Sequence, residues 1–219
     1  MSDLIRFPSH LSNVVILDCD DVALDWCPGM ARFAIDVLGM DVDPSGPHDF
    51  NVRSWLGIND RDVMIGILLA FARSEFFACL DPIPGVVEAV VALRASGHEV
   101  HFVTSCSSEP LVIRNRERNL ESVFGGRNFE SVTCVDLGQS KSEILKLHPP
   151  SIFIDDRPEN ILVGASHGHF GMVMTCQTNH LDRDKPNEHG LLWLDGWAEF
   201  TPQIPNLPHN LRTLVPTPA

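Results

Sequence analysis

The sequence is poor in basic side chains. It contains 16 Lys and Arg residues against 29 Asp and Glu residues, which gives a formal net charge of −13. A surface with this charge repels the phosphate backbone of DNA and RNA, so we expect no nucleic-acid polymer among its partners. A small anion would have to be held by local cations or by a metal ion.

Cys-x-x-Cys pairs and long apolar runs are also missing. The six cysteines are scattered and lie mostly in apolar stretches, as buried free thiols do in a reducing compartment. No run approaches the roughly 20 apolar residues of a membrane span. The first residues, MSDLIRFPSHLSN, lack the basic segment and apolar stretch of a secretion signal. These absences predict a soluble, cytoplasmic protein that has no membrane partner.

Five short apolar segments, rich in Val, Ile and Phe, alternate with helical patterns. Continuous apolar runs of this length, separated by helices, indicate a parallel sheet that is buried on both faces. We therefore predict an α/β fold with a Rossmann-like, doubly wound sheet of five parallel strands. The segments are VVILD (14–18), HFVTS (101–105), SVTCVD (131–136), SIFIDD (151–156) and GMVMTC (171–176).

The connection between the first two strands is too long for a single crossover. Residues 24–82 supply roughly 60 residues, whereas a whole βαβ unit needs only about 30. Helical spacing on both sides of a Pro- and Gly-containing turn predicts a small helical cap in this segment. We assign 1–23 and 83–200 to the α/β core. Residues 201–219 contain too many prolines for a helix or a central strand and are predicted to form an extended or loosely ordered tail.

The first strand runs directly into the acidic sequence DCDDV. Ligands of open α/β sheets bind at the carboxyl edge of the strands, where a turn could direct Asp18 and Asp20 toward one point. Asp18 would be ionised at neutral pH and could attack phosphorus without a base to activate it. Asp20 could protonate the leaving oxygen and then activate water. The alternative is that these aspartates only end the strand and cap the next helix.

A second strand, SIFIDD, ends in Asp155 and Asp156. Clustered carboxylates, together with a backbone carbonyl and waters, are the ligands that Mg²⁺ requires. Two strand ends with paired aspartates therefore point to one shared cation. The other assignment of Asp156 is an Asx-type turn or cap before the following helix, and the two roles are compatible.

A third strand end and one lysine provide candidates for binding a phosphate. HFVTS ends in Thr104 and Ser105, whose hydroxyls and following amides would form an anion cradle. Lys141, at the start of a predicted helix, would supply a cation against the developing charge. Lys146 is the competing lysine, but it lies later in that helix and is expected to be solvated.

The ordered set DCDDV, HFVTS, SK and FIDD resembles the four motifs of the haloacid dehalogenase superfamily, over about residues 12–200. The resemblance implies that Asp18 is the nucleophile and Asp20 the acid/base. It also implies that Mg²⁺ is bound by the Asp18 carboxylate, the Asp20 carbonyl and Asp155, with Asp156 as a further ligand or in the outer sphere. Thr104 and Lys141 would hold the phosphate.

Within this superfamily the inserted helices resemble a C1-type cap. The segments DCDDVALDW, FFACLDPIPGVVEAV, HFVTS and FIDDRPENI are similar to the 5'(3')-deoxyribonucleotidase branch. That resemblance implies an apolar slot for a nucleobase, and its aromatic candidates are Trp26, Phe50, Trp55, Phe76 and Phe77. The alternative is that the aromatic residues of the cap only pack its small core.

These observations predict a magnesium-dependent phosphatase that hydrolyses a small phosphomonoester, with a nucleoside monophosphate as first choice, through an aspartyl-phosphate intermediate. Phosphoryl transfer to another acceptor, a non-nucleotide substrate and a noncatalytic binding protein are the alternatives, and a homodimer is compatible with the sequence. Arg114, Arg116 and Arg118 alternate with Glu117 and Glu121 at helical spacing, which predicts an ordinary charged surface rather than a phosphate site.

Overall fold

A six-stranded parallel sheet forms the centre of the fold in the computed structural model, which describes residues 4–126, 128–183 and 185–208. The strand order is β3-β2-β1-β4-β5-β6, and each neighbouring pair is parallel. The predicted α/β fold is confirmed. The strands are β1 Val14–Leu17, β2 Glu99–Ser105, β3 Ser131–Val135, β4 Ile152–Asp155, β5 Phe170–Met174 and β6 Leu192–Leu194.

The predicted number of five strands is wrong because the sheet has a further edge strand. β6 has only three residues and pairs with Met172–Met174 of β5. Three residues are too few to show a period of two, and the preceding loop separates them from the other strands. Only the pairing with β5 reveals this strand.

Helices cover the sheet on both faces. Alternate residues of β1 belong to different apolar clusters: Val15 and Leu17 to the larger cluster, Val14 and Ile16 to the smaller. This alternation is what a strand buried on two faces requires. The helices are α1 Trp26–Asp36, α2 Val52–Leu56, α3 Arg61–Ala72, α4 Val86–Ala95, α5 Pro110–Phe124, α6 Ser142–Leu145, α7 Pro158–Ser166 and α8 Trp197–Phe200. In the described part of the chain no helix combines the length and the hydropathy that crossing a membrane demands.

Helices α1, α2 and α3 are inserted between β1 and β2, in the segment for which we predicted helices. The two chain segments that join this insertion to the sheet run side by side: Leu24 forms an antiparallel bridge with Pro82. Asp25 N donates to Asp81 O at 2.8 Å. The insertion therefore leaves and re-enters the core through one narrow connection.

The segment predicted as a loose tail begins as ordered structure. Thr201–Asn206 forms a 3₁₀-helix, and Ile204 and Leu207 are buried in the main apolar cluster. The Gln203 side chain accepts a hydrogen bond from Ile5 N at 3.2 Å. Prolines are compatible with such a short helix, and the two apolar side chains hold it on the core. Residues 209–219 lie outside the described part of the chain.

Candidate active site

Polar residues end three adjacent strands at one edge of the sheet. Asp18 directly follows β1, Thr104 and Ser105 end β2, and Asp155 ends β4. β1 is the neighbour of both β2 and β4. The strand order reverses between β1 and β4, and in open α/β sheets this switch point is where ligands bind. The parallel register thus brings together side chains that are far apart in the sequence.

Lys141 connects two of these strand ends. Its ammonium nitrogen lies 2.8 Å from Asp18 Oδ1 and 2.7 Å from Asp155 Oδ2, and its side chain is 1% exposed. Burial lowers the pKa of Lys141, but the attraction of the two carboxylates outweighs this effect and leaves the pKa raised. Lys141 is therefore a permanent cation at the carboxyl end of β1. Lys146, the competing lysine, is exposed.

The site contains more negative than positive groups. Carboxylate oxygens of Asp18, Asp155 and Asp156 lie within 4.8 Å of one another, and Lys141 is the ammonium among them. Burial, followed by the neighbouring carboxylates, raises the pKa of Asp156 well above its usual value. Burial also raises the pKa of Asp18 to about 7, against the effect of Lys141. A divalent cation would relieve this imbalance, so the donor set fits a metal ion.

Asp155 and Asp156 differ in their surroundings. Both oxygens of Asp155 accept hydrogen bonds: Oδ2 from Lys141, Oδ1 from Arg157 N at 2.9 Å, and both from the Asn160 amide at 2.9 and 3.1 Å. Asp156 instead lines the cavity described below. The buried Asn179 donates to the Asp156 carbonyl at 2.7 Å. Asp155 thus fixes Lys141 and the first residues of α7 through hydrogen bonds.

The prediction that Arg116 belongs to an exposed charged surface is wrong. Its side chain is fully buried, and its Nη2 donates to Asp20 Oδ1. The guanidinium carbon lies 3.9 Å from the centre of the Phe77 ring. Arg118 does match the predicted surface, since it is half-exposed and pairs with Glu75 at 2.6 Å.

The sequence did contain one signal for the burial of Arg116. Val112 and Leu120 lie one helical turn before and one after it, and both are completely buried. Positions four apart share one helix face, so Arg116 stands on the apolar side of α5. Glu117 and Glu121 at helical spacing suggested salt bridges with the arginines, and the apolar positions on the same face as Arg116 were therefore overlooked.

Asp21 has the capping role that was the alternative for the acidic sequence. Its backbone φ is +56°, and its Oδ1 accepts hydrogen bonds from Trp26 N at 3.1 Å and Cys27 N at 3.2 Å. These amides begin α1. The left-handed conformation turns the chain sharply after Asp20, and the carboxylate then stabilises the first turn of the helix.

A cavity of about 550 Å³ opens over the site. Its lining includes polar side chains from the strand ends and the loops that follow them: Asp18, Asp20, Thr104, Ser105, Lys141 and Asp156. The inserted helices contribute apolar side chains to the lining, with Met64, Leu68 and Phe71 of α3 and Trp26 of α1, and Phe77 adds another. All of the proposed phosphate-binding residues therefore face one space that the inserted helices partly enclose.

The aromatic candidates divide into two groups. Trp26, Phe50 and Phe77 line the cavity, and Arg157 stacks over Phe50 at 4.9 Å. Trp55 and Phe76 are not in its lining, although both lie in the described part of the chain. Trp55 donates from Nε1 to Asp43 O at 3.2 Å, and Phe76 packs on the Phe33 ring at 5.9 Å. Trp55 and Phe76 therefore pack against other residues of the inserted segment.

Comparisons with known proteins find similar structures but no similar sequences. Protein-family models and curated protein sequences give no match. Solved structures do match: a predicted phosphatase from Clostridium acetobutylicum has a TM-score of 0.63 and 15% identity over 90% of this chain and 100% of that chain. A haloacid dehalogenase-like family hydrolase from Streptococcus pneumoniae has a TM-score of 0.60 and 12% identity over 88% and 98%.

A third solved structure is that of protein tyrosine kinase A from Mycobacterium tuberculosis. Its TM-score is 0.66 and its identity 20%, over 89% of this chain and 98% of that chain. At these low identities the likeness concerns the arrangement of the backbone. The chain therefore has the Rossmann-like α/β fold of haloacid dehalogenase-like proteins.

Proposed function

We propose that this chain is a magnesium-dependent phosphohydrolase that acts on a small phosphomonoester. The observation that carries the proposal is the buried group of Asp18, Lys141 and Asp156 at the switch point of the sheet, facing a cavity large enough for a small organic phosphate. The fold shared with solved structures described as phosphatases supports the same conclusion.

In the proposed reaction, a carboxylate oxygen of Asp18 attacks phosphorus while the bond to the ester oxygen breaks. Asp20 donates a proton to the departing alcohol. Water then attacks the aspartyl phosphate, Asp20 takes up a proton from it, and inorganic phosphate leaves. Lys141 and the Thr104 hydroxyl hold the phosphate oxygens during both steps.

The carboxylates of Asp18 and Asp156 and the Asp20 carbonyl are the groups we propose to hold Mg²⁺. Asp155, which belongs to the same group of carboxylates, holds Lys141 through Oδ2 and is a further candidate ligand. When bound, the ion would neutralise phosphate oxygens and would keep Asp18 in its anionic form.

We propose a nucleoside monophosphate as substrate, with the base against Trp26 and Phe50. The support is the set of aromatic and apolar side chains that the inserted segment contributes to the cavity lining. Flat side chains of this kind bind a base by stacking. A non-nucleotide phosphate ester with an apolar group is the competing substrate class. One structural neighbour is named a tyrosine kinase, so acceptors other than water belong in the test.

The test is release of inorganic phosphate from a panel of phosphate esters that includes nucleoside monophosphates, sugar phosphates and an aryl phosphate. Turnover should require Mg²⁺ and should be lost in Asp18→Asn, whereas the exposed Lys146→Met should behave as the parent chain. Added alcohols that capture phosphate would indicate phosphoryl transfer. A chain that binds phosphate esters but turns none over, with or without Mg²⁺, would be a noncatalytic binding protein.

A further inference from the structure

Arg116 is a fully buried cation whose side chain reaches the candidate acid/base from behind. Transferring a guanidinium from water to a protein interior is costly unless it is paired. Here the ion pair is formed with Asp20 Oδ1, and Phe77 covers the guanidinium face. Within the described residues, Nε and Nη1 of Arg116 have no hydrogen-bond partner. Among the residues that the structure describes, the contact with Asp20 is thus the main compensation for burying the charge of Arg116.

The same face of α5 holds the connections of the inserted helices. Asn119 accepts a hydrogen bond from Leu80 N at 3.2 Å and donates to Leu80 O at 2.9 Å. Asn115 donates to Ala72 O at 3.1 Å. Leu80 lies just before the narrow connection back to the core. One buried polar row on α5 therefore anchors both that connection and Asp20.

We propose that Arg116 is a positioning residue: it holds Oδ1 of the Asp20 carboxyl group, so that this group lies at the mouth of the cavity and the proton on its other oxygen can reach the leaving oxygen. The inference rests on the proposed phosphohydrolase function. The Asp20 side chain is 21% exposed and lines the cavity, whereas Arg116 lies behind it and is fully buried. Arg116 acts through Asp20 and does not contact the substrate.

A purely structural ion pair would have different consequences. Replacing a buried ion pair by apolar residues often leaves stability unchanged or raises it, so stability alone cannot identify a positioning role. Mispositioning of a general acid has a specific signature. An alkoxide needs a proton in order to leave, and a phenolate of low pKa does not, so losing the aligned acid harms alkyl esters more than aryl esters.

The experiment compares Arg116→Met and Arg116→Lys with the parent chain on one alkyl phosphate and one activated aryl phosphate. The measured quantity is kcat/KM, which includes only the steps up to release of the alcohol. Arg116→Met should lose about tenfold or more on the alkyl ester beyond its loss on the aryl ester, since a general acid contributes roughly 10²- to 10⁴-fold. Arg116→Lys, which retains a cation, should recover part of this difference.

Arg118→Met is the matched control, because Arg118 is on the same helix but is exposed. It should stay within about twofold of the parent on both esters, as surface changes usually do. Melting curves of every variant give the folded fraction. Equal losses on the two esters, or losses that follow the folded fraction, would overturn the positioning role while leaving the phosphatase proposal intact. A parent chain that turns over no ester would overturn both.

A second measurement checks the contact itself. Melting temperatures are compared for Arg116→Met, Asp20→Asn and the double variant. Asp20→Asn leaves the buried guanidinium without its counter-charge, so it should lower the melting temperature more than the double variant does. Strictly additive shifts would show that the two side chains do not interact and would also overturn the proposal.

Discussion

The excess of buried carboxylates predicts how the stability of the metal-free protein depends on pH. The pKa of Asp18 is raised from 3.8 to about 7, chiefly by burial. A carboxyl group whose pKa is higher in the folded state retains a proton that the unfolded chain releases. The resulting contribution to stability is fully present below about pH 4 and is lost as the pH rises through about 7.

The magnitude follows from the two pKa values. Their difference, at about 1.4 kcal/mol for each pKa unit, sets an upper limit of about 4 kcal/mol on the stability lost between pH 4 and pH 8. Lys141 interacts strongly with the same group, so the measured loss should be smaller. A bound divalent cation offsets the loss because it favours the carboxylate form.

The assay is thermal or urea unfolding, with excess Mg²⁺ or with a chelator, at about pH 5 and at about pH 8. We expect Mg²⁺ to raise the melting temperature by several degrees at the higher pH, given about 2–4 °C per kcal/mol for a chain of this size. The rise should be clearly smaller at the lower pH. Asp156→Asn should remove most of the effect, whereas Asp182→Asn, a partly exposed turn residue that does not line the cavity, should not. Equal stabilisation by Mg²⁺ at both pH values would refute the reasoning.

Three further changes have defined outcomes. Lys141→Met leaves Asp18 and Asp155 without their shared counter-charge, so urea unfolding in chelator should show a loss of about 3–5 kcal/mol; an unchanged midpoint would contradict the buried bridge. Asp21→Ala removes the acceptor for two amides at the start of α1 and should lower the free energy of urea unfolding by about 1 kcal/mol. Trp26→Ala should raise KM for a nucleoside monophosphate by roughly fivefold or more, as expected for a lost stacking contact, and should hardly affect a small alkyl phosphate; equal changes on both substrates would remove Trp26 from the base site.

Charge distribution bears on the proposed role of Lys141 as the cation that holds an anionic substrate. The overall charge of −13 repels free anions. Lys141 is held in place by two carboxylates and cannot turn toward solvent. A bound cation would add to its field in the cavity. On the proposed function, the surface charge would affect encounter rates, and Lys141 together with a bound cation would attract the anionic group of the substrate.

The sequence by itself determined the parallel sheet and the places where its strands end. Apolar runs of strand length are local patterns, and the carboxyl ends of adjacent parallel strands must meet at one edge. For that reason Asp18, Thr104 and Asp155 could be assigned to one location before any coordinates. β6 was not predicted, because a strand of three residues is too short to show an alternating hydrophobic pattern.

Only the tertiary structure decided which side chains lie together and what each of them contacts. The rotation of α5 buries Arg116 and leaves Arg118 exposed, although both are arginines on one short stretch of helix. The hydrogen bonds that occupy Asp155 and leave Asp156 at the cavity come from a lysine and an asparagine on other elements. The packing of the inserted helices likewise selects which aromatic residues reach the cavity. These outcomes depend on how the helices and strands pack against one another, which local residue patterns do not encode.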